Sequence, residues 1–173
     1  MRSQIDKQRS IRKHRLIYHA NTELVFNRLF ENFIWIICLA LPVLPLFNNN
    51  NQITTTGLFL ISIFWVFLLT GLYFINHLTM INGTNQTINR IKIIEILKLR
   101  YPEFTLNDSG KNVIKCKKKA GLFGWGKQIT VMFDQDRIFI NSTTLGRYDI
   151  KSPFHSIFNA IAMRHIKKDF MSA

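Results

Sequence analysis

Two stretches decide the fold of this chain: Phe33–Phe47, FIWIICLALPVLPLF, and Leu58–Leu78, LFLISIFWVFLLTGLYFINHL. The first, with Leu29 and Phe30 ahead of it, approaches the ~20 residues that cross ~30 Å of hydrocarbon at a helical rise of ~1.5 Å. The second is interrupted only by Ser62, Thr70, Gly71, Asn76 and His77, and a helical Ser or Thr can return its hydroxyl to the backbone. Between them Asn48–Gly57, NNNNQITTTG, is short, polar and uncharged, as a connection between antiparallel helices should be. Together they predict a membrane α-helical hairpin with transmembrane helices at 29–47 and 58–78 and a non-cytoplasmic loop at 48–57. The competing expectation is two buried helices of a soluble protein, but a 173-residue fold lacks the bulk to cover two such cylinders on all sides. A cleaved signal peptide also fits poorly: the basic region reaches from Arg2 to Arg28, the run contains Pro42 and Pro45, and no small-x-small site precedes the Asn tract.

Charge is distributed accordingly. The chain has 23 Lys and Arg against 10 Asp and Glu, net +13, all of them at or before Glu31 or at or after Arg90. The averages, 47 % hydrophobic and 19 % charged, conceal this division and by themselves exclude only disorder and a collagen repeat. Arg2, Lys7, Arg9, Arg12, Lys13, Arg15 and Arg28 precede the first span, Arg90, Lys92, Lys98 and Arg100 follow the second, and the connecting loop has none. Cytoplasmic flanks collect such cations, so both termini are expected on the cytoplasmic side of an inner (plasma) membrane, with residues 1–28 a basic cytosolic segment. Trp35 and Tyr73 fall near the inner ends, where aromatic rings sit at headgroup depth. The sequons at Asn82, Asn85, Asn107 and Asn141 then carry no weight. Pro42 and Pro45 should end or kink the first span, since proline removes backbone hydrogen bonds.

Residues 79–173 are expected to form a small cytosolic α+β domain of order α-β-β-β-α with an antiparallel sheet. Ile91, Ile94, Leu97 and Tyr101 recur at helical spacing until Pro102. Strands are predicted at Asn112–Lys119, Lys127–Asp134 and Arg137–Ser142, the last two joined by the two-residue turn Gln135-Asp136. Ser152-Pro153 starts a final helix whose apolar face is read as Phe154, Ile157, Phe158 and Ile161, with Arg164, Lys167 and Lys168 toward its end.

Candidate contact residues cluster in the segment 115–127: Lys117, Lys118, Lys119, then Leu122, Phe123 and Trp125 among glycines, then Lys127. Next to a bilayer, a lysine cluster followed by apolar side chains suits headgroups and acyl edge, or a partner protein; nucleic acid is not expected. Catalytic signals are thin. Cys38 and Cys116 lie in different elements and cannot pair, and Lys115 and Lys117 beside Cys116 could lower its pKa, although a strand cysteine is more often inert. Asp134-Gln-Asp136 has the spacing of a cation-binding pair, but acidic residues are common at a hairpin turn. His14 and His19, and His155 and His165, lack same-face ligand spacing, and Gly121–Gly126 lacks a phosphate-loop ending. No catalytic set, cofactor or metal site is expected.

The order of parts resembles that of uncharacterised small bacterial inner-membrane proteins: a basic start, a two-helix hairpin, then Phe123-Gly-Trp-Gly, the strands Gln128–Phe133 and Ile138–Ser142, and a basic last helix. The resemblance covers residues 111–170 and implies no activity. The functional expectation is a non-enzymatic accessory or regulatory subunit that docks the basic domain onto a larger membrane complex or an anionic lipid surface. The alternative is an oligomerising membrane effector or small channel with a cytosolic sensor domain, supported by the helix break at Pro42 and Pro45 and by Gly71, Ser62 and Thr70, which would permit close helix approach.

Overall fold

The computed structural model describes residues 5–19, 22–43, 54–108, 112–121, 124–146 and 149–172. A short helix α1, Lys7–Lys13, is followed by the long helices α2, Thr22–Ala40, and α3, Thr55–Phe74. Asp6 caps α1 by accepting from Arg9 N–H at 3.0 Å, and His14, in the left-handed region at φ 49°, ends it. Helix α2 tightens at its end into a 3-10 turn over residues 41–43, at Pro42, as a residue without an N–H demands. Pro45 and most of the loop at 48–57 lie outside the described residues. Thr54 caps α3, its hydroxyl accepting from Gly57 N–H at 3.2 Å. Among the described residues α3 is the one helix long and apolar enough to cross a membrane, and the apolar stretch Leu29–Val43, the end of α2 with its 3-10 turn, is shorter.

The rest is a mixed α+β unit: β1, Thr79–Asn82; α4, Gln86–Arg100; β2, Thr105–Asp108; β3, Val113–Lys118; β4, Gly126–Asp134; β5, Arg137–Leu145; and α5, Ser156–Ser172, entered through a 3-10 turn at Pro153–His155. All pairings are antiparallel, in the order β1-β5-β4-β3-β2. The expected turn at Gln135-Asp136 is present, with Gln135 at φ 55° and Asp134 opposite Arg137.

The expected order α-β-β-β-α is therefore short by two strands, both at sheet edges. β1 has four residues and follows α3 after a single turn, so the sequence reads as a continuation of the span to Leu78. β2 is polar, TLND, and has the composition of a loop; its pairing with β3 makes it a strand. Short edges of this kind also resist pairing with other chains.

Alternation along the strands gives the sheet two apolar faces. Ile81, Ile114, Ile129, Val131, Phe133, Ile138 and Ile140 point to one side and pack against Ile93, Ile96 and Leu97 of α4 and Met163, Ile166 and Phe170 of α5. Met132 and Phe139 point to the other, where Leu16 and Leu78 bury them with help from Ile5, Ile11 and Tyr18. The basic N-terminal segment is thus a layer of the fold. Ser10, fully buried, exchanges hydrogen bonds with the Ile17 backbone, and residues 14–16 pair with the chain leaving α3: Leu16 N–H donates to Asn76 O at 2.8 Å and Leu78 N–H to His14 O at 3.0 Å.

The α5 face differs from the one expected, whereas on α4 Leu97 is buried and Ile94 and Tyr101 pack against the core as expected, Ile91 alone being misplaced. α4 buries Asn89, Ile93, Ile96 and Leu97 and leaves Ile91 exposed. α5 buries Ser156, Asn159, Met163, Ile166 and Phe170, while Ile157, Phe158 and Ile161 face outward. Apolar count misleads here because Asn159 finds polar partners on β5, donating to Thr144 Oγ1 at 3.1 Å and accepting from Ser142 Oγ at 3.3 Å.

Candidate functional site

The side chains that join the two long helices to the sheet form the most specific cluster in the molecule. Phe154, carried on the 3-10 turn before α5, lies among Trp35 of α2 and Phe64 and Phe67 of α3, with ring centroids 6.1, 6.2 and 6.2 Å away. Pro153 packs so closely on Gly71 that a Cβ there would stand 2.4 Å from the Pro153 carbonyl oxygen. Gly71 is small for this contact. The exposed Ser62 returns its hydroxyl to its own helix, donating to Leu58 O at 2.9 Å.

Just below this cluster the chain leaving α3 is held from several sides. Asn141, buried on β5, donates through Nδ2 to His77 O at 2.8 Å and Ile75 O at 3.3 Å, and its Oδ1 accepts from Thr143 at 2.8 Å. Arg15 donates to Tyr73 O at 2.9 Å and lies over the Tyr73 ring at 5.2 Å. Lys151 Nζ donates to Asn76 Oδ1 at 2.6 Å, and its backbone N–H makes a long contact with Glu31 Oε1 of α2 at 3.4 Å. Three hydrogen-bonded carbonyls and no intervening linker leave α3 and β1 as one continuous body.

The sequence-predicted contact residues are dispersed. Strand alternation sends Lys117 and Lys118 to opposite faces: Lys117 pairs with Asp149 at 2.7 Å and Lys118 with Glu103 at 3.6 Å. Lys127 lies over the Tyr101 ring at 5.6 Å, where burial pushes its ammonium below the usual lysine range. Lys119 is exposed, and Leu122 and Phe123 lie outside the described residues. Trp125 is the member that joins the cluster at the helix base: it is exposed, meets the ring of His155, the residue after Phe154, at 4.8 Å and a tilt of 50°, and covers Gly146.

The other sequence candidates are absorbed by structure. Burial pushes the Cys116 thiol up, with Glu103 adding to the shift, and the flanking Lys115 and Lys117 point to the other side of the sheet. Asp134 is held between Lys7 at 3.3 Å and Arg137 at 3.1 Å, while the Asp136 carbonyl accepts from Gly83 and Asn89. Among the described residues no three His, Cys, Asp or Glu side chains are grouped for a metal. A groove of about 650 Å³ between α1 and the β4–β5 hairpin is lined by Lys7, Arg12, His14, Arg137 and Phe139.

Sequence reasoning missed Phe154, Pro153 and Asn141 as the joint. By sequence Phe154 reads as part of the core face of the last helix and Asn141 only as a sequon, whereas the Asn141 amide donates to two carbonyls. Nothing local in the sequence distinguishes these roles. Comparison of the chain with protein-family models, curated proteins and solved structures finds no match.

Proposed function

We propose that this is a membrane protein whose helices α2 and α3 form a two-span hairpin, carrying the α+β unit on the cytoplasmic face as a non-enzymatic accessory or regulatory subunit of a larger membrane complex. The observation that carries the topology is the packing of residues 5–19 on the same sheet that follows α3, with Leu16 among the buried residues around Met132 and Phe139. The chain on either side of the two helices then lies on one side of the bilayer, so it crosses an even number of times. If α3 crosses, α2 must return.

Exposure supports the same reading. Leu58, Phe59, Leu60, Ile63, Val66 and Leu69 on α3, and Leu29, Phe33 and Ile36 on α2, face outward, an arrangement that water disfavours and hydrocarbon accepts. The net charge of +13 lies entirely outside the uncharged segment, where an anionic leaflet attracts it at ~1 kcal/mol per residue near the surface. The rigid joint at Phe154 and Asn141 supports a regulatory role, because a shift of the helices reaches the sheet without a flexible linker to absorb it. Gly71, which would permit close approach between spans of a channel, is occupied by Pro153, so the channel alternative loses that feature.

The subunit reading is tested by crosslinking in native membranes, extraction in mild detergent and identification of what co-purifies. A stoichiometric membrane partner is expected. A lone monomer with no crosslinked species would overturn it.

A further inference from the structure

We infer that the first two turns of α5 are immersed in the cytoplasmic leaflet, with Ile157, Phe158 and Ile161 against acyl chains and Arg164 and Lys168 at the level of the anionic headgroups. The inference rests on the membrane reading above and names a lipid-contact surface within the part that reading leaves in the cytosol.

Three observations carry it. First, at its start α5 buries Ser156 and Asn159 and turns Ile157, Phe158 and Ile161 outward, Phe158 being 66 % and Ile161 44 % exposed, whereas farther along it buries Met163, Ile166 and Phe170 in the ordinary way. A water-facing helix start would bury the apolar side chains and expose the polar ones. Second, the depth is fixed by contact: Phe154 sits beside Phe67 and Phe64, which are seven and ten residues before the end of α3 at Phe74. At a rise of ~1.5 Å that places the start of α5 about 10–15 Å up the apolar helix. Third, the outward stripe of α5 changes character along its length. Positions 157, 161, 164 and 168 follow one another at helical spacing on the exposed side, two apolar and then two cationic. Arg164 is ten residues beyond Phe154, a rise of about 15 Å along the helix, so the cationic half of the stripe is separated from the Phe154 contact by about the thickness of one leaflet. Trp125, exposed and in tilted contact with His155, adds an aromatic ring of the kind that settles at the interface.

The test is site-directed spin labelling of the full chain, with Cys38 and Cys116 replaced by Ala, in phosphatidylethanolamine–phosphatidylglycerol vesicles. Single cysteines are placed at Ile157, Phe158, Ile161, Arg164 and Lys168, and at Val66 of α3 as reference. Collision with oxygen, which concentrates in lipid, is compared with collision with a water-soluble nickel chelate. Oxygen is expected to dominate at 157, 158, 161 and 66, and nickel at 164 and 168. Nickel dominating at 157, 158 and 161 while oxygen dominates at 66 would overturn the inference and leave the membrane reading standing. Labels at 158 and 161 reached by neither reagent would mean that protein covers this face, which also overturns it. Nickel dominating at 66 would remove both.

Discussion

The ring of Phe154 stacks on that of Phe67 with centroids 6.2 Å apart and planes 19° from parallel. Phe154 belongs to the turn before the last helix and Phe67 to the long apolar helix, so one contact ties these two elements together. Trp35 meets the same ring edge-on at 71°, which makes Phe154 the point where α2, α3 and α5 converge. Offset and edge-on aromatic pairs contribute about 0.5–1.5 kcal/mol beyond the area they bury.

Phe154→Ala is expected to destabilise the protein by about 2 kcal/mol, less than the loss at a fully buried phenylalanine because the ring is only half-buried. Phe154→Leu restores part of the volume and should recover part of the loss. Thermal denaturation in mild detergent, followed by circular dichroism, measures both. Equal stability of the wild type and the Ala variant would show that the ring is not a structural joint.

Asn141 should be less tolerant. Its Nδ2 serves two carbonyls at the exit of α3, and although the Ile75 carbonyl also accepts from Thr143 Oγ1 at 3.5 Å, Asn141→Ala takes the short bond from the His77 carbonyl, at a cost of about 1–3 kcal/mol. Asn141→Asp removes both donors and sets a carboxylate against the same carbonyls, so it is expected to cost more than Ala. The order Asn, Ala, Asp in denaturation midpoint checks the assignment, and a neutral Asp variant would contradict it.

Acid should loosen the far end of α5. The Asp169 carboxyl is held below the usual carboxylate range, first by the hydrogen bond from Arg100 at the end of α4 and then by the charges of Arg100, His165 and Lys168. A depressed carboxyl pKa means stability that is full above the ordinary value of about 3.9 and is lost as pH falls through the lower folded value. The pair is exposed, so the contribution is at most about 1 kcal/mol. Asp169→Asn should therefore be slightly less stable than wild type at neutral pH, with the gap closing as pH drops below 4. A gap that widens on acidification would refute the sign.

Cys116 is expected to resist maleimide in the folded protein and to react on unfolding, since burial both blocks the thiol and raises its pKa. Rapid native-state labelling at Cys116 would mean that β3 opens far more readily than its place between β2 and β4 implies.

What the sequence made legible follows the physics of pattern. The uncharged segment, the stop at Pro42, the β4–β5 hairpin with its turn at Gln135-Asp136 and the helices around Leu97 and Met163 all announce themselves by hydropathy, period or turn chemistry. β1 and β2 do not: four residues hold too few alternations to register a period, and Thr105–Asp108 becomes a strand only because β3 lies beside it. The packing of α1 on the sheet was equally hidden, since a basic segment with scattered Ile5, Ile11 and Leu16 looks like a solvated tail until Met132 and Phe139 supply the opposite surface. Helix α5 misled in the opposite direction. Its apolar stripe is real, but Asn159 satisfied by Ser142 and Thr144 won the core, and Phe154 went to the long helices instead. The lysine run suggested one patch, and strand alternation divides it between Asp149 and Glu103.

Sidedness tests the central claim most directly. With Cys38 and Cys116 replaced, single cysteines at Asn50, in the loop between the helices, and at Lys168, on α5, are exposed to a membrane-impermeant maleimide in right-side-out and in inverted vesicles. A two-span hairpin predicts that Asn50→Cys is labelled only in right-side-out vesicles and Lys168→Cys only in inverted ones. Labelling of both cysteines from the same side would contradict it.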